Sequence, residues 1–107
     1  MTITLAGELD TTNAEDTGTA LQDAAAPGQP GRLVVLDMSA LTFMDSSGLN
    51  VLLRLHAAVR RQGGVLILAA VHDLPARVLQ STRVWDAMII VSSLEEATAT
   101  LQRAGAR

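Results

Sequence analysis

Polar and apolar residues alternate through Thr2-Ile3-Thr4-Leu5-Ala6, the two-residue period of a half-buried strand. Gly7 interrupts the alternation and Glu8-Leu9-Asp10 resumes it before the chain turns. Thr12 followed by Glu15 has the spacing of a capping box, and Asp16 suits a first turn. This predicts a helix over about 13–26, with Ala14, Leu21 and Ala25 facing inward. Pro27-Gly28-Gln29-Pro30-Gly31 breaks it. Leu33-Val34-Val35-Leu36 is apolar at every position, as in a strand buried on both faces. Residues 37–42 are less regular, and Phe43-Met44 leads into Asp45-Ser46-Ser47-Gly48. A long helix is then expected to about Arg61, stopped by Gly63-Gly64.

Val65-Leu66-Ile67-Leu68-Ala69 predicts a second buried strand, and Pro75 suits the first turn of a short helix reaching about Ser81. Met88-Ile89-Ile90-Val91 predicts the last strand. Ser93-Leu94-Glu95-Glu96 forms a second capping-box pattern, opening a helix that ends near Gly105. Strands and helices therefore alternate throughout. The expectation is an α/β fold, one domain over 1–107, with a mostly parallel sheet of about four strands and about four helices.

Composition narrows the chemistry. The 107 residues suit one domain, and the 49% apolar content is enough for a core at this length. Phe43 and Trp85 are the only aromatic residues, which argues against base-stacking platforms for single-stranded nucleic acid. With no cysteine, disulfides, thiolate metal sites and a cysteine nucleophile are excluded. Net charge is −3 but unevenly spread: residues 1–45 hold seven acids against Arg32, whereas residues 46–107 hold seven arginines against four acids. No basic cluster of the kind that binds nucleic acid stands out. The longest apolar run, Val65 to Val71, falls far short of the ~20 residues a membrane helix requires, and no secretory signal is evident. A soluble, cytoplasmic protein without membrane insertion is expected.

Candidate chemistry collects at Asp45-Ser46-Ser47-Gly48, where a strand passes into a helix. Sites in open α/β sheets lie at such strand ends. Helix N-termini present unpaired N–H groups and partial positive charge, so a serine there can carry a phosphate without unwinding the helix. A phosphate on Ser46 would add about −1.5 to −2 charge beside Asp45. Ser and Asp are also preferred helix caps. A cap needs one side chain, however, and this segment supplies three. At 100° per residue, Ser46, Ser47, Asn50, Arg54, Ala57 and Arg61 fall on one polar stripe, with Leu49, Leu52, Leu53, Leu55 and Val59 expected elsewhere. Asn50 lies one turn from Ser46. Arg54 lies two turns away, ~12 Å along the axis, and is expected to touch a partner and not a phosphate.

The stretch LVVLDMSALTFMDSSGLNVLL, Leu33 to Leu53, resembles the central segment of the anti-sigma factor antagonists, bacterial proteins of the STAS domain class. Gly7-Glu8-Leu9-Asp10 also resembles the motif opening that family's first helical crossover. The resemblance implies a partner switch with no catalytic residue and no cofactor. In it, Ser46 is phosphorylated by an anti-sigma factor that is itself a serine kinase, and a phosphoserine phosphatase restores it. The unphosphorylated form binds the anti-sigma factor and so frees a sigma factor. Asp45, Ser47 and Gly48 match the motif position by position. Asp10, Thr11 and the helix start from Ser46 to Asn50 are implied as the contact face, with Arg54 beyond. One departure is that family members usually carry a further strand before Gly-Glu-Leu-Asp, which is expected to be short or missing here. An exposed edge would invite pairing with another chain, so monomer and homodimer both stay open.

Three rivals are weaker or narrower. An esterase elbow requires Gly-x-Ser-x-Gly, but Met44 or Asp45 stands at the first glycine position. His56, ~15 Å along the helix from Ser46, is too far to be its base. A metal site lacks ligands at suitable spacing: His56 and His72 have no carboxylate so placed, and adjacency is expected to point Asp73 away from His72. Met38, Met44 and Met88 are expected to fill core gaps. The third rival shares the domain class but has no phosphorylation cycle: an interaction module regulating a transporter or a sensory assembly, with Ser46 only a cap.

Overall fold

Alternation in the first strand and its absence in the next two have one cause, the number of helices lying over each. The computed structural model describes residues 1–25 and 33–105, so the breaker at 27–31 lies outside the described residues. Its elements are β1 (Thr2–Leu9), α1 (Ala14–Ala25), β2 (Leu33–Met44), α2 (Ser46–Arg61), β3 (Val65–Ala69), α3 (Asp73–Ser81), α4 (Val84–Ala87), β4 (Ile89–Val91) and α5 (Leu94–Gly105). The strands form one sheet in the order β1-β2-β3-β4, every neighbour pair parallel. Strand order never reverses, so crossovers of constant hand place α1, α2 and α3 on one face. There Leu21 and Ala25 of α1, Leu52, Leu55 and Val59 of α2 and Leu79 of α3 pack on Val34, Leu36, Leu66 and Leu68. Ala97 of α5 covers the other face over Val35, Ile67, Ala69 and Val91.

β2 and β3 are thus buried on both sides, which accounts for their unbroken apolar runs. β1 forms a sheet edge. It buries Leu5 and Leu9, while Thr2, Thr4, Ala6 and Glu8 stay exposed on the face α5 does not reach. Met38, Met44 and Met88 lie in the core as expected.

The structure departs from the sequence expectations at several points. Residues 37–42 belong to β2, which runs unbroken to Met44. Their irregularity reflects two register shifts against β1, where extra residues in β2 break the alternation and leave Ser39 and Ala40 both exposed. A fifth helix, α4, is a single turn entered through Arg83 at φ 63°, too short to show a period. Thr12 does not cap α1: its hydroxyl and its N–H both donate to the Asp10 carboxylate. At α5, Ser93 Oγ accepts from the Glu96 N–H at 3.1 Å, and the Glu96 carboxylate also accepts from the Ser92 N–H and hydroxyl. The end of α2 is as expected, with Gly63 in the left-handed region at φ 76°.

Candidate functional site at the start of the second helix

Because β1 and β2 are adjacent and parallel, the turn after one and the helix after the other share an end of the sheet. Leu9 pairs with Met44, and the Asp45 N–H reaches the Leu9 carbonyl at 3.4 Å. Asp45 is the N-cap of α2: one carboxylate oxygen accepts from the Ser47 N–H at 2.9 Å and the Gly48 N–H at 3.2 Å. The Asp45 carbonyl takes the Leu49 N–H. These amides are therefore occupied. The expectation of free N–H groups awaiting a phosphate is corrected here, because Asp45 already fills the anion position.

Gly48 is buried where the first turn of α2 presses on the end of β1. A Cβ there would lie 2.6 Å from Met44 Cγ and 2.9 Å from both the Leu9 Cγ and the Leu9 carbonyl oxygen. One of those atoms is backbone and cannot swing aside, so only glycine fits. Asp45, Ser47 and Gly48 all turn toward the protein. Ser46 alone is exposed, its hydroxyl engaged by no group among the described residues.

The turn after β1 is braced from within. Asp10 accepts twice from Thr12, its N–H donates to Asn13 Oδ1 at 3.0 Å, and Asn13 Nδ2 donates to the Glu8 carbonyl at 2.7 Å. The Thr12 hydroxyl, then the Thr12 backbone N–H, hold the Asp10 carboxyl below its usual range. Asp10 thus shapes this turn. Asn13, expected only to begin a helix, is its second organiser, and the signal was an Asx residue at a turn. Thr11 is exposed and reaches across, its Oγ1 lying 3.2 Å from Ser47 Oγ.

The helix brings Ser46, Asn50 and Arg54 to the surface as expected. Leu53, expected to lie off the polar stripe, is 39% exposed. Seven residues at 100° return it to within about 20° of Ser46, so an apolar side chain interrupts the polar stripe. Ser47, Asn50 and Arg54 also form one wall of an open groove whose other wall is α1.

The two histidines lie apart from this end of α2. His72 Nδ1 lies 2.8 Å from Asp73 Oδ2 and its Nε2 lies 2.8 Å from the Ser39 carbonyl. The side chains of the adjacent pair do meet, contrary to expectation, because Asp73 adopts φ 50°. The Asp73 carboxylate, then the Ser39 carbonyl, raise the His72 pKa above its ordinary value. His56 Nδ1 is buried without a hydrogen-bond partner among the described residues. No three metal-ligating side chains converge among the described residues, and none of the described helices is long and apolar enough to cross a membrane.

Solved structures share this fold. A Thermotoga maritima protein assigned as an anti-sigma factor antagonist superposes with TM-score 0.83 at 22% identity, over 94% of this chain and 87% of its own. The unphosphorylated form of the anti-sigma factor antagonist SpoIIAA gives TM-score 0.69 at 24% identity, over 95% of this chain and 87% of its own. A sulfate transporter family protein from Wolinella succinogenes gives TM-score 0.83 at 16% identity, over 99% and 87%. The family model that describes the STAS domain matches residues 1–97, and the chain accordingly belongs to the STAS domain family.

Proposed function

We propose that this chain is an anti-sigma factor antagonist, a protein-binding switch and not a catalyst, set by phosphorylation of Ser46. One observation carries the reading: of the four motif residues, Asp45, Ser47 and Gly48 are spent on building the helix start, and Ser46 presents a free hydroxyl to solvent. The likeness to SpoIIAA, whose solved form is described as unphosphorylated, supports the same cycle here.

The electrostatics follow from the occupied cap. A phosphate on Ser46 finds the Ser47 and Gly48 amides taken and the Asp45 carboxylate beside it. Like charges repel, so the dianion points outward and alters the contact face while the fold persists. The unmodified face, with Thr11, Asn50 and Arg54 around Ser46 and Asp10 shaping the turn, binds an anti-sigma factor with serine kinase activity. That binding releases a sigma factor in the cytoplasm, and a phosphoserine phosphatase resets the switch. The test is incubation with ATP and the cognate anti-sigma factor kinase. A gain of one phosphate confined to Ser46, absent in Ser46→Ala, is the expected result; no mass gain defeats the reading.

The superposition on the Wolinella succinogenes protein favours a second reading, a STAS module that regulates a transporter through contacts alone. In that case Ser46 stays unmodified in the presence of any kinase, and Ser46→Asp leaves the partner's affinity unchanged.

A further inference from the structure

The groove between α1 and α2 has a volume of about 520 Å³ and opens beside Ser47. Two residues on its α1 wall break local helix rules. Gly18 sits in the helix interior, where glycine is the costliest residue after proline. The fold does not require it: a Cβ at Gly18 would lie 3.6 and 3.8 Å from the Val51 methyls, ordinary contact with nothing displaced. Asp23 stands in the last turn, where the helix dipole disfavours an acid, and that turn holds no basic residue. Departures from local rules that packing does not demand are expected where a surface is used. Here both departures line one groove.

We propose that this groove is a second docking surface, seating a helix of the same anti-sigma factor kinase that engages Ser46; the inference rests on the function proposed above and extends it. Charge sets the chemistry of the occupant. α1 carries Glu15, Asp16 and Asp23 and no base. Glu15 and Asp23 on one wall and Arg54 on the other have no ion-pair partner among the described residues. The helix that fits has a basic edge against α1, an acid or amide against Arg54, and an apolar side chain in the notch left by Gly18, a helix-in-groove contact. Because the groove adjoins Ser47 and Asn50, such a helix lies next to the phosphorylation site and would hold the kinase there.

The test measures affinity for the kinase that phosphorylates Ser46, using wild type, Gly18→Ala, Gly18→Gln and the pair Glu15→Gln with Asp23→Asn. Thermal unfolding of each reports the fold. Gly18→Ala melts no lower than wild type, since it replaces a helix-interior glycine without a clash. Gly18→Gln fills the notch, and affinity falls about tenfold or more with melting unchanged, as for loss of a well-packed contact. The charge pair lowers affinity and flattens its dependence on salt. Kinase binding and Ser46 phosphorylation with unchanged affinity in all variants overturns the groove and leaves the proposed function standing. No binding by wild type overturns both. A wild-type dimer that Gly18→Gln dissociates assigns the groove to a second copy of this chain and overturns the kinase helix.

Discussion

Thr11 Oγ1 and Ser47 Oγ lie 3.2 Å apart across 36 residues of sequence, joining the turn after β1 to the first turn of α2. The pair fixes the two segments proposed to meet the partner at one spacing. Thr11→Val and Ser47→Ala each remove it. Being partly solvated, the bond should contribute at most about 0.5–1.5 kcal/mol. Partner affinity should fall in each single variant, and the double variant should fall less than the sum. A double-mutant cycle by calorimetry checks this, and strict additivity would show that the two hydroxyls act independently.

Gly48→Ala places its methyl 2.9 Å from the Leu9 carbonyl oxygen and 2.6 Å from Met44 Cγ, so the start of α2 must lift from β1. Overpacking of this kind costs about 1–3 kcal/mol. Urea unfolding should show a lower midpoint at unchanged slope. Gly18→Ala is the internal control, with the same chemical change in open contact and no loss. A Gly48→Ala variant as stable as Gly18→Ala would mean that helix propensity, and not the close approach, governs Gly48.

Asp45→Ala removes the acceptor for two amides and should cost about 0.5–2 kcal/mol, whereas Asp45→Asn retains a cap and should cost less. Thermal unfolding measures both. If the alanine variant melts with wild type, the carboxylate is not holding the helix end.

Much of this was legible before any coordinates. Buried strands showed as unbroken apolar runs, and α2 was bounded by Asp45 and Gly63, because burial and capping are local to the sequence. What stayed hidden depended on partners far along the chain. Residues 37–42 looked irregular because β1 pairs with β2 through two register shifts. That Gly48 is obligatory follows from its contact with Leu9, 39 positions earlier, and the sequence marked it only as a motif match. The capture of the Asp10 carboxylate by Thr12 is a rotamer choice no spacing reveals. Leu53 differs for another reason: its apolar character sets it apart from the polar stripe, while its helical angle puts it beside Ser46.

Ser46→Asp should weaken the anti-sigma factor complex, and Ser46→Ala should bind constitutively. Because Ser46 is exposed and unbonded, both should unfold within about 0.5 kcal/mol of wild type. Calorimetric titration with the kinase gives the affinities. Three equal values would remove charge at Ser46 as the control.

His72 predicts a pH effect away from the switch. Its two ring nitrogens each face an acceptor, the Ser39 carbonyl and the Asp73 carboxylate, both at 2.8 Å. A neutral imidazole has one N–H and can satisfy only one of them, whereas the imidazolium satisfies both. The folded pKa is therefore raised above the unfolded value. A raised pKa means that the folded state binds the proton more tightly. The stabilisation is complete below the unfolded pKa and is lost as pH rises through the higher folded one. The bond to Ser39 ties the start of α3 to the shifted region of β2, so deprotonation should loosen α3 before it affects α2. Ring-proton chemical shifts followed against pH should give His72 a midpoint above that of an unfolded peptide, and Asp73→Asn should lower it. Amide exchange in α3 should quicken over the same interval. A His72 midpoint no higher than the peptide's, unmoved by Asp73→Asn, would show that the two acceptors do not hold the proton.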